Sequence, residues 1–171
     1  MRYQLWPFVR YEDDKYSIPD AMLAEIYRDL VESGRAGIVF YMGGIVTHKD
    51  FIDYLKDPKN HFVFVVDTET RKFVFMAWLN NIQGHTAYCH FSGLGDAPYR
   101  PETGRLVVDY WGSTGVPAVL VGVIPETNRA AIKLGMNLGF ERAGTIPMLC
   151  GLNQEKTRVG GVILYYLFGG G

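Results

Sequence analysis

The stretch from Val119 to Phe140 constrains the fold more than any other part of this 171-residue chain. Val119 to Ile124 is an unbroken apolar run rich in β-branched residues, the pattern of a strand covered on both faces and therefore central in a sheet. Pro125 ends it, and Thr127 or Asn128 then offers a side-chain oxygen to the unpaired N–H groups of a first helical turn. Ala131, Leu134 and Leu138 recur at helical spacing to make one apolar stripe. Gly139 supplies the left-handed stop, and Phe140 opens the next apolar segment.

The rest of the chain divides around this unit. Arg2 to Tyr11 alternates apolar and polar residues as a strand. Ser17 is then placed to cap a helix with Pro19 in its first turn, Ala21, Leu23, Ile26, Tyr27, Leu30 and Val31 along one face, and Gly34 as its stop. Ile38 to Tyr41 is a short apolar run, after which Thr47 caps a second amphipathic helix that Pro58 ends. His61 to Asp67 and Lys72 to Asn81 form a hairpin around the turn residues 67–71, and His85 to Phe91 continues the sheet across Gln83-Gly84. Phe140 to Pro147 and Gly161 to Phe168 read as two final strands joined through residues 153–158. No repeat or low-complexity linker interrupts this order, so residues 1–168 are expected to make a single domain and 169–171 a flexible glycine tail.

Composition narrows the function classes. A net charge of −1 gives no electrostatic reason to expect nucleic acid or an anionic membrane as partner. No apolar stretch approaches eighteen residues and the N-terminus lacks a signal-peptide core, so a membrane span is not expected and a cytoplasmic location is. Cys89 and Cys150 have no CxxC or His spacing around them, which points to reduced thiols and to no metal site. There is likewise no Walker loop and no Gly-x-Ser-x-Gly elbow.

A strand, an Asn cap, Ala three residues on, Leu six on and a closing Gly-Phe together resemble the last strand-helix unit of the GNAT superfamily of N-acyltransferases. The resemblance, closest to the branch of ribosomal-protein and N-terminal acetyltransferases, extends over nearly the whole element order. It implies an α+β (α/β) fold with a mixed, mostly antiparallel central sheet flanked by helices. It also implies acetyl-CoA as cosubstrate and an amine as acceptor, on a small molecule or on a protein or peptide. In this family the pyrophosphate sits on a helix N-terminus after a loop of the form Gln/Arg-x-x-Gly-x-Gly/Ala. Here Gly104 matches the last small position, Tyr99 falls where Gln or Arg is usual, and Glu102 where the first Gly is usual.

The physics of an anion site partly compensates. Pro101 suits a first helical turn, the N–H groups of residues 102–105, Thr103 among them, are expected to point outward, and Arg100 and Arg105 bring charge for phosphate oxygens. A plain capped helix would look similar, and Glu102 suits either reading. The resemblance places the acyl carbonyl against backbone N–H groups between Phe91 and Leu94, with Ser92 and Leu94 backbone along the pantetheine. Asn128 would bond either the cofactor arm or its own helix.

Acyl transfer to an amine calls for carbonyl-polarising donors, a neutral amine and often an acid for the leaving thiolate. The family commonly places a Tyr directly after the helical Leu, but Gly135 follows Leu134 here. His90 is the candidate base on the central strand, with a packed, hydrogen-bonded histidine as the structural reading. Glu126 is a further carboxylate near the site that could accept a proton through water. The expected activity is therefore acetyl transfer by direct amine attack. The alternative is a catalytically degenerate member serving as a binding or assembly module, and aromatic strand residues could support a homodimer.

Overall fold

A computed structural model describes residues 2–41, 43–95, 100–115, 117–152 and 157–169. In chain order the elements are β1 (Tyr3–Pro7), α1 (Asp20–Glu32), α2 (Ala36–Val39), α3 (His48–Lys56), β2 (His61–Asp67), β3 (Lys72–Gln83) and β4 (Thr86–Gly93). They are followed by α4 (Pro101–Thr114), β5 (Val119–Pro125), α5 (Arg129–Asn137), β6 (Glu141–Leu152) and β7 (Thr157–Leu167). The strands form a 7-stranded sheet in the order β1-β2-β3-β4-β5-β7-β6, in which β4 and β5 are parallel and every other pair antiparallel. This is the mixed, mostly antiparallel α/β architecture that the sequence implies.

Strand alternation sends two sets of side chains to opposite faces of the sheet. Val63, Val65, Phe75, Ala77, Ala87 and Cys89 pack under α4, whose Val107, Val108 and Trp111 close that side. Phe62, Phe64, Met76 and Trp78 meet Leu23, Ile26, Tyr27 and Leu30 of α1 and Phe51 and Leu55 of α3 on the other side. With both faces of β2 and β3 covered, their apolar runs need no polar face.

Local rules explain most boundaries, and one fails. Thr47 and Asp50 form a full capping box on α3. Ser17 does not cap α1. Its hydroxyl donates to Pro7 O at 2.8 Å and accepts from Val9 N–H at 3.0 Å, tying the chain back onto the end of β1, while Pro19 takes the N-cap position without a side-chain bond. The apolar run at 38–41 begins inside the one-turn helix α2, which takes in Ile38 and Val39. The last two strands are longer than their apolar cores because β6 bulges: Ile146 faces Gly161 and Cys150 faces Val159, leaving 147–149 opposite Gly160 alone. Pro147 is tolerated there because β6 is an edge strand. Both cysteines are free and buried. Among the described residues no helix is long and apolar enough to cross a membrane, and no group of His, Cys, Asp and Glu is arranged to hold a metal.

Candidate functional site

The site begins where the one parallel pair fails. β4 and β5 pair only through Thr86, Ala87 and Tyr88 opposite Val119, Leu120 and Val121. Beyond that, β4 stays with β3 as far as Gly93 and β5 stays with β7 as far as Gly161, so the two strands part and their facing edges lose their partners. Leu94 N–H donates to Val74 O at 2.9 Å, and His85 O accepts from Val119 N–H at 3.0 Å. The alternation of a β ladder then assigns the amides of His90, Ser92 and Leu94 to β3, that of Cys89 to Val121 at the end of the parallel pairing, and those of Phe91 and Gly93 to the opened edge.

This corrects part of the backbone expectation. Phe91 is placed to present its N–H to a ligand in the gap, and Gly93 joins it. The Ser92 and Leu94 amides are spent within the sheet. The Leu94 side chain is buried at 3% exposure among the α1 and α3 residues, and the Ser92 hydroxyl donates to Gly93 O at 3.0 Å.

Two cavities meet at the gap. The smaller, about 110 Å³, is walled by Phe91 of β4, Gly122 to Pro125 of β5, and Asn128, Ala131, Leu134 and Gly135 at the start and inner face of α5. The larger, about 870 Å³, opens on the other side among Phe40, Tyr54, Tyr88, Ile146 and Leu149, with the carboxylates of Asp50, Asp53 and Asp57 along α3 and its C-terminus. Val39, Tyr41, Trp78, His90 and Val123 line both.

His90 is therefore at the junction. Its ring stacks on Trp78 at 4.6 Å between centroids and 11° between planes, and its Nε2 is 3.1 Å from Asn80 Oδ1. Asn80 Nδ2 donates to the Tyr54 hydroxyl at 3.2 Å, and Trp78 Nε1 donates to the same oxygen at 3.1 Å. Because Asn80 uses its amine toward Tyr54, its carbonyl faces His90, and the network assigns the ring proton to Nε2 and the lone pair to Nδ1. Burial pulls the His90 pKa down to about 4, so the ring is neutral at physiological pH. The structural alternative of a packed histidine describes this residue, which is stacked on Trp78 and bonded to Asn80 while lining both cavities.

The sequence did not single out Tyr41, Tyr54, Trp78 or Asn80 as a site. The hairpin register could have found two of them, since Trp78 lies opposite His90 and Asn80 opposite Tyr88 on the same face. Tyr41 carries no such signal, because it enters from the segment after α2. Its hydroxyl donates to Val123 O at 3.2 Å. Val123 shares the inner edge of β5 with Val119, so this oxygen is one that the strand divergence would otherwise leave unpaired.

The phosphate-end residues separate. Arg100 is the N-cap of α4 and Pro101 its first residue, so helix geometry returns the Gly104 and Arg105 N–H groups to carbonyls four residues back. Thr103 N–H and hydroxyl both bond Arg100 O, at 3.1 and 2.8 Å. Of the four amides expected to point outward at 102–105, only Glu102 N–H is left without a partner by this geometry. Gly104 and Thr103 are buried in the first turns of α4. The Arg100 guanidinium lies 5.9 Å from the Tyr3 ring, toward β1, whereas Arg105 lines the cleft between α4 and Asn137 of α5 with Glu102 and Asp109. The loop residue Tyr99 lies outside the described residues. Asn128 Oδ1 accepts from Ala131 N–H at 3.1 Å, so its carbonyl caps α5 while the residue lines the smaller cavity. Glu126 is engaged as well: Oε1 accepts Gly160 N–H at 2.9 Å.

Gly135 is a packing requirement. A Cβ there would stand 2.5 Å from Leu164 Cδ1, so the helix lies on the sheet where the family tyrosine would begin.

No family model matches the sequence, and no curated protein matches it. Solved structures do match the fold. Spermidine N-acetyltransferase from Vibrio cholerae, in complex with CoA and spermine, superposes with a TM-score of 0.76 at 12% identity over 98% of this chain and 96% of its own. A GNAT-family acetyltransferase from Bacillus anthracis gives 0.74 at 12% identity over 98% and 95%. Ribosomal-protein-S5-alanine acetyltransferase from Vibrio fischeri gives 0.73 at 13% identity over 99% and 95%. With its parted β4 and β5, its order of elements and its end-to-end match to these structures, the chain has the fold of the GNAT N-acyltransferases.

Proposed function

We propose that this protein transfers an acetyl group from acetyl-CoA to a primary amine by direct attack. The observation that carries the reading is the divergence of β4 from β5, which leaves the Phe91 and Gly93 amides on an open edge, with Phe91 on the wall of the smaller cavity. A thioester carbonyl bound along that edge meets fixed N–H donors, the arrangement that stabilises a developing oxyanion. The smaller cavity leads from the junction along α5 and suits the thioester arm. The cleft beside Arg105 suits the phosphate end of the cosubstrate, with Glu102 and Asp109 as opposing charges that weaken it.

The larger cavity suits the acceptor. Its described lining holds aromatic rings and the carboxylates of Asp50, Asp53 and Asp57 and no lysine or arginine, which favours a cationic amine over an anionic one. Asp53 shares its charge with Lys49 at 2.7 Å, and Asp50 caps α3, so Asp57 is the carboxylate least committed to a side-chain partner. Neutral His90, with its lone pair on Nδ1, orients the amine through a hydrogen bond. A pKa near 4 makes it a weak store for the proton, which leaves to bulk water through the open cavity.

Calorimetric titration with acetyl-CoA, with CoA and ATP as comparisons, tests the cosubstrate. Saturable binding that Arg105→Glu weakens is expected. This exposed position is a better probe than buried Gly104, where a carboxylate would also disturb α4. Release of free CoA thiol is then followed with spermine and with an alanine-terminated peptide. No binding at millimolar acetyl-CoA refutes the reading. Binding without turnover across a wider amine panel favours the second reading, a non-catalytic binding module, for which Gly135 is the specific observation.

A further inference from the structure

Of the residues that line both cavities, Val39 and Val123 have no titratable side-chain group, and Trp78 Nε1 is held by Tyr54. His90 and Tyr41 remain. His90 is neutral and fixed by Asn80. Tyr41 brings a hydroxyl into the gap on the β5 side, where its bond to Val123 O at 3.2 Å is long for an O–H···O contact and easily exchanged. Its other neighbour there is the Cys150 thiol of β6. Burial first, and then Cys150, push the Tyr41 pKa well above its ordinary value, so the hydroxyl is protonated and available as a donor at neutral pH. The α5 position used by the family's tyrosine is filled by the Gly135–Leu164 contact.

We propose that Tyr41 is the acid of the transfer, giving its hydroxyl proton to the departing CoA sulfur from the segment after α2 instead of from α5. The inference rests on the acetyl-transfer reading above. The amine nitrogen forms its bond to the acyl carbon, and the carbon–sulfur bond breaks with its electron pair going to sulfur. Sulfur takes the Tyr41 proton. The nitrogen loses its extra proton to bulk water, and the tyrosinate is reprotonated from bulk water. The net exchange is acetyl for hydrogen on nitrogen and hydrogen for acetyl on sulfur.

A test that needs no acceptor is the ultraviolet titration of the CoA thiolate bound to the full-length protein, with desulfo-CoA as blank so that Cys89 and Cys150 subtract out. The groups facing the Tyr41 hydroxyl are the Cys150 thiol, which Glu126 also influences, and His90 across the junction. A hydroxyl that donates to the thiolate lowers the pKa of the bound thiol, and Tyr41→Phe is expected to raise it by about one pH unit. Cys150→Ala, which keeps the hydroxyl, is expected to retain the wild-type titration. Equal thiol titration in wild type and Tyr41→Phe overturns the assignment. So does a Tyr41→Phe protein that no longer binds CoA, which would make the hydroxyl a strut, or a Cys150→Ala protein that alone reproduces the shift. If the wild type binds no CoA, the acetyl-transfer reading fails with it; CoA bound with an unmoved thiol removes Tyr41 alone.

Discussion

Tyr54→Phe removes one oxygen and should cost about 2 kcal/mol of folding free energy. The Tyr54 hydroxyl accepts from Trp78 Nε1 at 3.1 Å and from Asn80 Nδ2 at 3.2 Å. Trp78 is 3% exposed, packed between Phe62 and His90, so its indole N–H cannot turn to water when the acceptor goes. An orphaned buried donor of this kind costs roughly 1–3 kcal/mol. Asn80 is half-buried beside the larger cavity and can find water, so its loss is nearer the ordinary net value of about 0.5 kcal/mol. The sum corresponds to a fall in Tm of about 4–8 °C for a chain of this length. Urea denaturation at neutral pH gives the free energy directly, provided the slope with denaturant is unchanged. The same substitution frees Asn80 to rotate, so the tautomer of His90 should cease to be fixed at Nε2–H, which nitrogen NMR of the ring reports. A loss below about 0.5 kcal/mol together with an unchanged His90 tautomer would refute the claim that this hydroxyl anchors the network.

Further outcomes follow from the same geometry. His90 is held neutral by burial, with a pKa near 4 against about 6.5 in the unfolded chain, so between those values the folded protein binds fewer protons than the unfolded one and its stability rises with pH. Stability should be complete above pH about 6.5 and fall by about 3 kcal/mol as pH drops toward 4, and His90→Gln should remove that part of the slope in pH-dependent urea curves. Asn128→Ala leaves the Ala131 N–H without its cap and should cost about 1 kcal/mol by the same measurement. Gly135→Tyr, which restores the family residue, should destabilise rather than activate. Its Cβ alone overlaps Leu164, which is 1% exposed, and overpacking of that kind costs about 1–3 kcal/mol, so thermal denaturation should show the loss with no gain in CoA release.

The central unit was legible in the sequence because its signals are local. An unbroken β-branched run, an Asn cap and a stopping glycine are each read within a few residues, and β5, the Asn128 cap and Gly139 at a φ of 93° stand where those signals put them. Ser17 misled for the same reason. A serine shortly before a helix is a good cap by local statistics, but here the chain folds back on β1 and the hydroxyl finds Pro7 O first. The β6 bulge was illegible because its cause lies on the partner strand, where Leu149 packs against Gly161 and Glu126 occupies the space beside Gly160. The α4 amides failed for a countable reason: placing the N-cap at Arg100 decides which N–H groups the helix itself consumes, and a shift of two residues in the boundary changes the answer.

Site chemistry was hardest to read where it depends on the third dimension. A strand residue announces its face by alternation, so His90 could be placed on the central strand from sequence, and its partners Trp78 and Asn80 follow once the hairpin register is known. Tyr41 obeys no period, since it reaches the gap from an irregular segment on the far side of the chain. Leu164 occupies the space over Gly135, and the Tyr41 hydroxyl bonds Val123 O on the β5 side of the gap. A missing motif residue is therefore weak grounds for calling such a fold inert. The atom the reaction needs can be delivered by any element that borders the gap, and the geometry at the junction, where sulfur and amine must come from different cavities, is the better guide to whether the chemistry survives.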